Sequence, residues 1–367
     1  MPSLLARLLL SALGLHSCAA ALNNLTVYEE PQSVQPYVIP YLHGFAVQSF
    51  GYVVQFPATN RSTNGAVAML ALYGKKEPAV PVHIHTRYHE TFFVMKGAVN
   101  MYAENQTRRL GPHDFANVPP NTNHAFELLE PDTEMWSAVA PGDFQFYQQI
   151  GDYYAPTPLA PWPVEPGPEP SDELLIDSTG LIFDYNPTNF SLVTDMTNGT
   201  SDLSQPWHNG PNPLPGSLTS YHMASGYGPT YLHQKLDHVI QLYLTGAESN
   251  NNFTLATITM RKARGNETSQ EWRSDYAAQL FRPLQGQLHI RMQGETVALG
   301  TGDLAVVPAG TPFSFWSEVA FTKVYHVAAA VPGGKTNTTT FGVVHDLLED
   351  SIPWDFAIFP DWYSTSR

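Results

Sequence analysis

The stretch PVHIHTRYHETFFVMKG, residues 81–97, places two histidines two positions apart and a glutamate five residues further on. On a β-strand, His83 and His85 project from the same face because side chains alternate. Glu90 follows a short turn and can return to the same place, and His124 follows a proline- and asparagine-rich turn that would bring in a neighbouring strand. Three imidazoles and one carboxylate suit a divalent first-row metal such as Cu, Fe, Mn, Ni or Zn. His89 is expected to point away from these residues, at the surface.

The charge balance and the cysteine content exclude several classes of protein. The chain has 367 residues, with 18 Lys and Arg against 33 Asp and Glu, for a net charge of −15. An acidic balance argues against nucleic acid or an anionic membrane as a partner, since both need a basic face. The single cysteine, Cys18, excludes a disulfide framework, a thiolate zinc site and an iron–sulfur cluster. Histidine and carboxylate side chains are then the available metal ligands.

The amino terminus is typical of a secretory signal peptide at residues 1–21. Arg7 precedes a short apolar run, and three alanines at 19–21 form a small-residue cleavage site. The apolar run is too short to span a membrane. Eight N-glycosylation sequons also indicate a secreted, extracellular glycoprotein. They begin at Asn24, Asn60, Asn105, Asn189, Asn198, Asn252, Asn266 and Asn337.

Short runs rich in Val, Tyr, Phe and Thr recur along the chain, separated by Gly, Pro and Asn. Examples are residues 51–56, 90–95, 254–260 and 324–329. Such runs predict an all-β sandwich or barrel. One stretch differs, because residues 155–173 carry seven prolines. That density excludes a central strand and indicates an extended connection.

An internal repeat flanks the proline-rich stretch. LGPHDFANVPPNTNHAF at 110–126 matches LGTGDLAVVPAGTPFSF at 299–315 without gaps, at an offset of 189 residues, and the same offset places Gly97 on Gly286. A gap-free match across two turns favours two copies of one β-fold. We therefore predict four segments: a signal peptide at 1–21, a domain with the metal site at 22–154, a Pro-rich connection at 155–218 and a second domain at 219–367.

The ligand spacing resembles the first sequence motif of the cupin superfamily, H-x-H-(x)4-E-(x)6-G, here His83, His85, Glu90 and Gly97. The residues from Pro119 to His124 resemble the second motif. His113 and Asn121 stand at two positions of that region where the motif usually has glycine. These replacements affect the geometry of the turns and not the metal ligands. The resemblance implies that each half is a jelly-roll β-barrel. The predicted fold class is therefore an all-β bicupin with a Pro-rich connection.

The second copy lacks a ligand set. Shifting the four ligand positions by 189 residues leads to Trp272, Ser274, Gln279 and Phe313. These residues could not complete a metal site, although the turn residues of the fold are kept. The first half is therefore predicted to carry the chemistry and the second to have a structural role. This distinguishes the chain from bicupin oxalate decarboxylases, which carry a ligand set in each half.

A bicupin with a signal peptide, many sequons and one amino-terminal site is similar to the fungal quercetin 2,3-dioxygenases. The similarity extends to PYVIPY (36–41), PDTEM (131–135), APGDF (140–144) and GYGPTYL (226–232). It covers the chain from residue 30 to the carboxyl end.

The resemblance implies a copper site held by His83, His85 and His124. It also implies that Glu90 is both a labile ligand and the base that removes the hydroxyl proton of a flavonol. Dioxygen would then open the heterocyclic ring, giving a depside and carbon monoxide. One divalent ion per chain is expected, most simply Cu, while Mn, Ni and Fe suit the same ligands. The partners would be a polyphenol and dioxygen, without nucleic acid or membrane.

Two other functions fit the same residues. A cupin dioxygenase or isomerase could use identical ligands on another phenolic or enolic metabolite. A secreted glycoprotein could bind a small molecule without catalysis, although a binding protein has no reason to keep one complete site and lose the other. The expected state is a monomer or a homodimer, and a monomer is reasonable because bicupins often form their pair of barrels within one chain.

Overall fold

The computed structural model describes residues 24–75, 80–144, 146–163, 184–191, 213–334 and 340–354. The predicted signal peptide at 1–21, the sequons at Asn198 and Asn337 and much of the predicted connection lie outside the described residues. Strands dominate the described part of the chain, where the longest helix has seven residues. No helix in these ranges is long and apolar enough to cross a membrane.

The strands up to the connection are β1 (Tyr37–Ile39), β2 (Phe45–Ser49), β3 (Tyr52–Ala58), β4 (Ala68–Gly74), β5 (His83–Ile84), β6 (His89–Lys96), β7 (Val99–Ala103), β8 (Gln106–Leu110), β9 (Phe115–Val118), β10 (His124–Leu128), β11 (Thr133–Ala140) and β12 (Asp152–Tyr153). Those that follow are β13 (Asn186–Pro187), β14 (Tyr221–Met223), β15 (Thr230–His233), β16 (His238–Leu244), β17 (Phe253–Met260), β18 (Ala277–Gln285), β19 (Leu288–Met292), β20 (Glu295–Leu299), β21 (Leu304–Val307), β22 (Phe313–Ser317), β23 (Thr322–Ala330) and β24 (Ser351–Pro353). The helices are α1 (Asn60–Thr63), α2 (Phe146–Ile150), α3 (Gly246–Ser249) and α4 (Val343–Glu349), with a 3₁₀ turn at Glu267–Ser269.

These strands form two barrels, each made of a large and a small sheet. The first barrel has an eight-stranded sheet in the order β12-β2-β3-β4-β11-β6-β9-β14 and a five-stranded sheet in the order β13-β5-β10-β7-β8. The second has an eight-stranded sheet, β1-β21-β18-β23-β17-β16-β15-β24, and a three-stranded sheet, β20-β19-β22. The predicted all-β bicupin fold is confirmed.

The repeat continues through both barrels. Strand β7 at Val99–Ala103 and strand β19 at Leu288–Met292 differ by 189 residues at both ends. The strands that follow, β8 and β20, keep the same offset. Before the metal motif the offset is 186, since Thr59 caps α1 and Thr245 caps α3 with the same extended backbone and the same side-chain acceptor role. The two copies therefore differ by three residues between these helices and the motif strands.

Left-handed turns occur where the motif has glycine or its replacements. The φ angle is 75° at Gly97 and 78° at Gly286, and a Cβ on Gly97 would lie 2.4 Å from the hydroxyl of Thr133. Only glycine fits such a turn without a clash. At the two positions where the usual glycine is absent, His113 and Asn121, φ is 70° and 65°. The backbone thus keeps the turn geometry of the motif.

Each barrel contributes one strand to the other, which the predicted boundaries did not anticipate. Strand β1 pairs with β21 of the second barrel, and strand β14, placed by sequence in the second domain, pairs with β9 of the first. Strands β9 and β21 correspond under the repeat, so the exchange is symmetric. An uncovered edge strand would expose unpaired backbone groups. The exchange pairs the backbone groups at the edges of β9 and β21 and links the two barrels.

Part of the predicted connection also belongs to the first barrel. Strand β13 pairs with β5, with Asn186 opposite Ile84 and Pro187 opposite His83. Proline donates no ladder hydrogen bond, which suits an edge strand. A segment that follows the proline-rich stretch in sequence therefore lies beside the strand that carries the first histidine.

Candidate metal centre

The four predicted ligands lie on or beside three strands and meet inside the first barrel. His83 begins β5, His85 follows that strand, Glu90 is the second residue of β6, and His124 begins β10. His83 and His124 are paired across β5 and β10. All four residues are buried, and their ligand atoms lie within 4.8 Å of one another.

Backbone carbonyls orient the three imidazole rings. Each ring donates its Nδ1–H to a carbonyl: His83 to Pro81 at 2.8 Å, His124 to Thr122 at 2.9 Å, and His85 to Asp184. A carbonyl can only accept, so Nδ1 carries the proton and Nε2 keeps its lone pair. Burial lowers the pKa of His83 well below its ordinary value, and the neighbouring histidines lower it further. The neutral ring is the form that binds a metal.

Glu90 lies between two of these rings. Its Oε2 is 3.4 Å from Nε2 of His85 and 3.4 Å from Nε2 of His124. Its Oε1 accepts a hydrogen bond from the hydroxyl of Ser137 at 3.0 Å. Burial alone would raise the pKa of Glu90, whereas positive charge on the rings of His124 and His85 would hold that pKa well below its ordinary value. With the rings neutral, a bound cation would supply this charge instead and keep the carboxylate anionic.

The chemistry of these residues fits a divalent metal. Nε2 of His124 is buried without a hydrogen-bond partner. Such an atom is rare in a folded interior, because leaving it unpaired costs about 1–3 kcal/mol. A buried carboxylate among neutral rings likewise needs a compensating positive charge. A cation bound by the imidazole nitrogens and Glu90 would satisfy both requirements.

Aromatic rings surround the ligands. Tyr185 stacks on His83, with ring centroids 4.2 Å apart, and Phe146 stacks on Tyr185 at 4.3 Å. Phe144 meets His85 edge to face at 5.3 Å. The ring centroid of Phe92 lies 6.2 Å from that of His124. These rings make an apolar enclosure around a polar cluster, which is the usual composition of a small-molecule site.

Sequence reasoning missed three residues at this site, which are Ser137, Asp184 and Tyr185. Ser137 lies on β11 and shares a sheet face with Glu90 across the β6–β11 ladder, a neighbourhood set by strand register. Asp184 is 99 residues away from His85 in sequence, so motif spacing contains no signal for it. Both Asp184 and Tyr185 fall in the segment predicted as a connection.

The expectation that His89 lies at the surface is wrong. The residue is fully buried, its Nε2 donates to Asn117 at 2.6 Å, and its ring meets Phe253 of the second barrel edge to face at 5.0 Å. His89 does point away from Glu90, as strand alternation requires. That face of β6 is covered by the second barrel and not by water. Burial accordingly lowers the pKa of His89 to about 4.

The second barrel has a different arrangement at the equivalent positions. Gln279, at the position of Glu90, accepts hydrogen bonds from the backbone N–H of Val343 at 2.7 Å and from Nε2 of His326 at 3.2 Å. Trp272 and Phe313, at two histidine positions, form a backbone bridge. Within the described ranges, the first-barrel cluster is the one group of His, Cys, Asp or Glu suited to hold a metal.

Known proteins are similar to this chain in sequence. A family model described as a cupin domain matches residues 69–136. Quercetin 2,3-dioxygenase from Aspergillus japonicus is 30% identical over 362 residues, covering 93% of this chain and 99% of the relative. Quercetin 2,3-dioxygenase from Bacillus subtilis is 24% identical over 318 residues, covering 85% and 87%. The structure of a salicylate 1,2-dioxygenase from Pseudaminobacter salicylatoxidans covers 78% of this chain and 74% of its own at 15% identity, with a TM-score of 0.43.

The two barrels and the buried histidine–glutamate cluster define a cupin with a candidate metal centre in the described part of its first barrel, and the two quercetin 2,3-dioxygenase relatives indicate an oxidoreductase. The similarity to the Aspergillus relative extends over nearly the whole length of both chains. This chain belongs to the quercetin 2,3-dioxygenase family of cupins.

Proposed function

We propose that this protein is a secreted, copper-dependent dioxygenase that opens the heterocyclic ring of a flavonol such as quercetin, giving a depside and carbon monoxide. The observation that carries the proposal is the position of Glu90, whose Oε2 lies beside two metal-ligand imidazoles while Ser137 occupies its Oε1. The names of both relatives support a flavonol as the substrate.

Glu90 would take the proton of the flavonol hydroxyl. A flavonolate donates electrons to dioxygen far more readily than the neutral phenol, so this transfer prepares the ring for oxidation. Because the hydroxyl of Ser137 binds Oε1, Oε2 is the oxygen available to receive the proton. Beside a bound cation the pKa of Glu90 would be lowered and the carboxylate would be a weak base, so Glu90 would accept the proton efficiently only once it is released from that cation.

The aromatic rings would hold the flat substrate. Tyr185, Phe146 and Phe144 lie beside the ligands and present apolar faces and edges. A polyphenol needs such walls, together with a few polar groups that fix its orientation. Closely packed rings also exclude water from the deprotonated substrate.

The ligand set would hold one divalent ion through His83, His85, Glu90 and His124. Copper is our proposal because the resemblance to the fungal enzymes implies it, and the same set accommodates Mn, Ni or Fe. When bound, the metal supplies positive charge for the substrate oxygen and a path for electrons to dioxygen.

We also propose secretion and glycosylation. Of the sequons within the described residues, Asn24, Asn105, Asn189 and Asn266 are exposed, whereas Asn60 and Asn252 are partly buried. Exposure is what a glycosylation site requires. Expression of the full chain in a eukaryotic host should yield protein in the medium whose apparent mass falls after endoglycosidase treatment. Retention in the cells without a mass shift would contradict this proposal.

Metal analysis and a flavonol assay on the same secreted sample test the main proposal. About one ion per chain is expected, with loss of the flavonol absorption band and release of carbon monoxide. Bound metal with quercetin left untouched would contradict the substrate and favour another phenolic or enolic compound. Substoichiometric metal without turnover would favour a non-catalytic binding protein. Sedimentation of that sample would distinguish a monomer, which the pair of barrels within one chain supports, from a homodimer.

A further inference from the structure

The segment after the proline-rich stretch lies against two of the metal ligands. It comprises Asp184 and Tyr185, followed by strand β13. Both residues are buried, with 4% and 1% of their surface exposed. A connection that served only to join two barrels would have no need to bury an aspartate beside a histidine cluster.

Asp184 contacts one ligand directly and the next turn through its carboxylate. Its backbone carbonyl accepts the Nδ1–H of His85. Its Oδ1 accepts from the backbone N–H of Thr86 at 2.8 Å and from the hydroxyl of that residue at 2.5 Å. Its Oδ2 accepts from the backbone N–H of Arg87 at 2.6 Å and of Tyr88 at 3.3 Å.

The contacted turn joins strands β5 and β6, so it connects His85 to Glu90. A carboxylate that accepts three consecutive backbone N–H groups fixes the path of such a turn, and bonds to a charged acceptor are the stronger ones. The position of His85 is then set from both sides, by the turn and by the carbonyl of Asp184. Tyr185 does the same for His83 by stacking on its ring at 4.2 Å.

We propose that Asp184 and Tyr185 are positioning residues for the metal centre, and that these two residues of the connection thereby belong to that centre. The groups that orient a metal-bound histidine typically change metal affinity by about 10- to 100-fold when they are lost. This inference rests on the metal occupancy proposed above, and it is independent of the flavonol substrate.

The test compares two aspartates near the site. Asp184→Asn removes the charge that binds the turn, whereas Asp143→Asn removes a charge that pairs with Arg87 at 3.4 Å and is 43% exposed. The dissociation constant for Cu²⁺ would be measured on the purified full chain by competition with a chelator, and the electron paramagnetic resonance spectrum at saturating Cu²⁺. We expect Asp184→Asn to weaken binding by about tenfold and to alter the spectrum, and Asp143→Asn to change neither.

Two outcomes would overturn the proposal. One is unchanged affinity and spectrum in Asp184→Asn, and the other is an equal change in Asp143→Asn, which would indicate net charge as the cause. Where Asp184→Asn does not fold, Thr86→Val removes one hydrogen bond to the same carboxylate and should weaken binding by a smaller factor. Tyr185→Phe should keep wild-type affinity and Tyr185→Leu should lose it. Wild-type protein that binds Cu²⁺ but spares quercetin would refute the proposed substrate and leave this inference standing.

Discussion

The guanidinium of Arg282 lies over the indole ring of Trp136, with 3.3 Å between its central carbon and the ring centroid. The two residues belong to different barrels, and the offset of 189 places Arg282 on Phe93 and Trp136 on Tyr325. Phe93 and Tyr325 are themselves in contact, with ring centroids 4.7 Å apart. The same pseudo-symmetric contact between the barrels is therefore made twice. Two aromatic rings form it in one place, and a guanidinium on an indole ring forms it in the other.

Arg282 also binds Glu134, to whose Oε1 it donates a hydrogen bond from Nη2 at 2.5 Å, and both residues are buried. Breaking a buried ion pair from one side leaves an uncompensated charge. We expect Arg282→Met to lower the free energy of unfolding by about 3–5 kcal/mol, measured by denaturant titration. The metal content at saturation should stay unchanged, since Arg282 does not contact the four candidate ligands.

A double variant separates the ion pair from the packing on Trp136. Glu134→Gln removes the charge of the partner, and the combined variant leaves no unpaired charge in the interface. The combined loss should be smaller than the sum of the two single losses by at least about 1 kcal/mol. Strict additivity would show that the two residues do not interact in solution.

The ligand cluster could be predicted from the sequence because short-range patterns place its four residues. His83 and His85 share a strand face by alternation, and Glu90 and His124 each follow a short turn. The repeat predicted the second barrel for the same reason, since turns such as that at Gly286 recur at one offset. Such patterns involve only a few neighbouring residues, so they can be recognised without knowledge of the tertiary structure.

The contacts that complete the site depend on the fold. Asp184 reaches His85 from 99 residues away, so its role could not be predicted from motif spacing. His89 was predicted to be exposed because strand alternation indicates which face of the sheet a residue lies on. It does not indicate whether water or another barrel covers that face. Ser137 needed the β6–β11 register, which no local pattern specifies. The exchange of β1 and β14 likewise follows from packing between the halves.

Glu90→Gln separates the two roles of the carboxylate. The amide keeps an oxygen that can contact a metal but no longer takes a proton at neutral pH. We expect turnover of quercetin to fall by at least about 100-fold, with the metal content per chain close to wild type. Equal loss of turnover and metal would exclude the base role and leave Glu90 as a ligand.

A matched control for that variant lies on the strand of His124. Glu127 on β10 is partly exposed and accepts a hydrogen bond from Asn100 at 3.0 Å. Glu127→Gln makes the same chemical change without touching the metal ligands. Both turnover and metal content should stay within about twofold of wild type, as is usual for substitutions away from special features.

Ser137→Ala tests whether the orientation of Glu90 matters. The substitution removes the hydroxyl that donates to Oε1 at 3.0 Å and leaves the four ligands in place. We expect turnover to fall by about tenfold with full metal content. Ser314→Ala, at a buried serine on β22 of the second barrel, is the control and should have wild-type turnover. A wild-type rate in Ser137→Ala would mean that Glu90 holds its position without this bond.

A pH effect on stability follows from His326 in the second barrel. The ring is fully buried and its Nε2 bonds to the amide oxygen of Gln279 at 3.2 Å. Burial lowers its pKa to about 3, whereas an unfolded histidine titrates near about 6.5. Between these values the unfolded chain binds a proton that the folded chain does not, so acidification favours unfolding.

His326→Gln should remove this contribution. The free energy of unfolding of the wild type is expected to fall more steeply than that of the variant as the pH drops from about 6.5 towards 4, by about 1.4 kcal/mol per pH unit. Above about pH 7 the two curves should run parallel, because His326 is then neutral in both states. Denaturant titrations at several pH values measure both slopes, and the carboxylates common to both proteins cancel in the difference. Identical slopes below pH 6 would show that His326 is protonated in the folded protein.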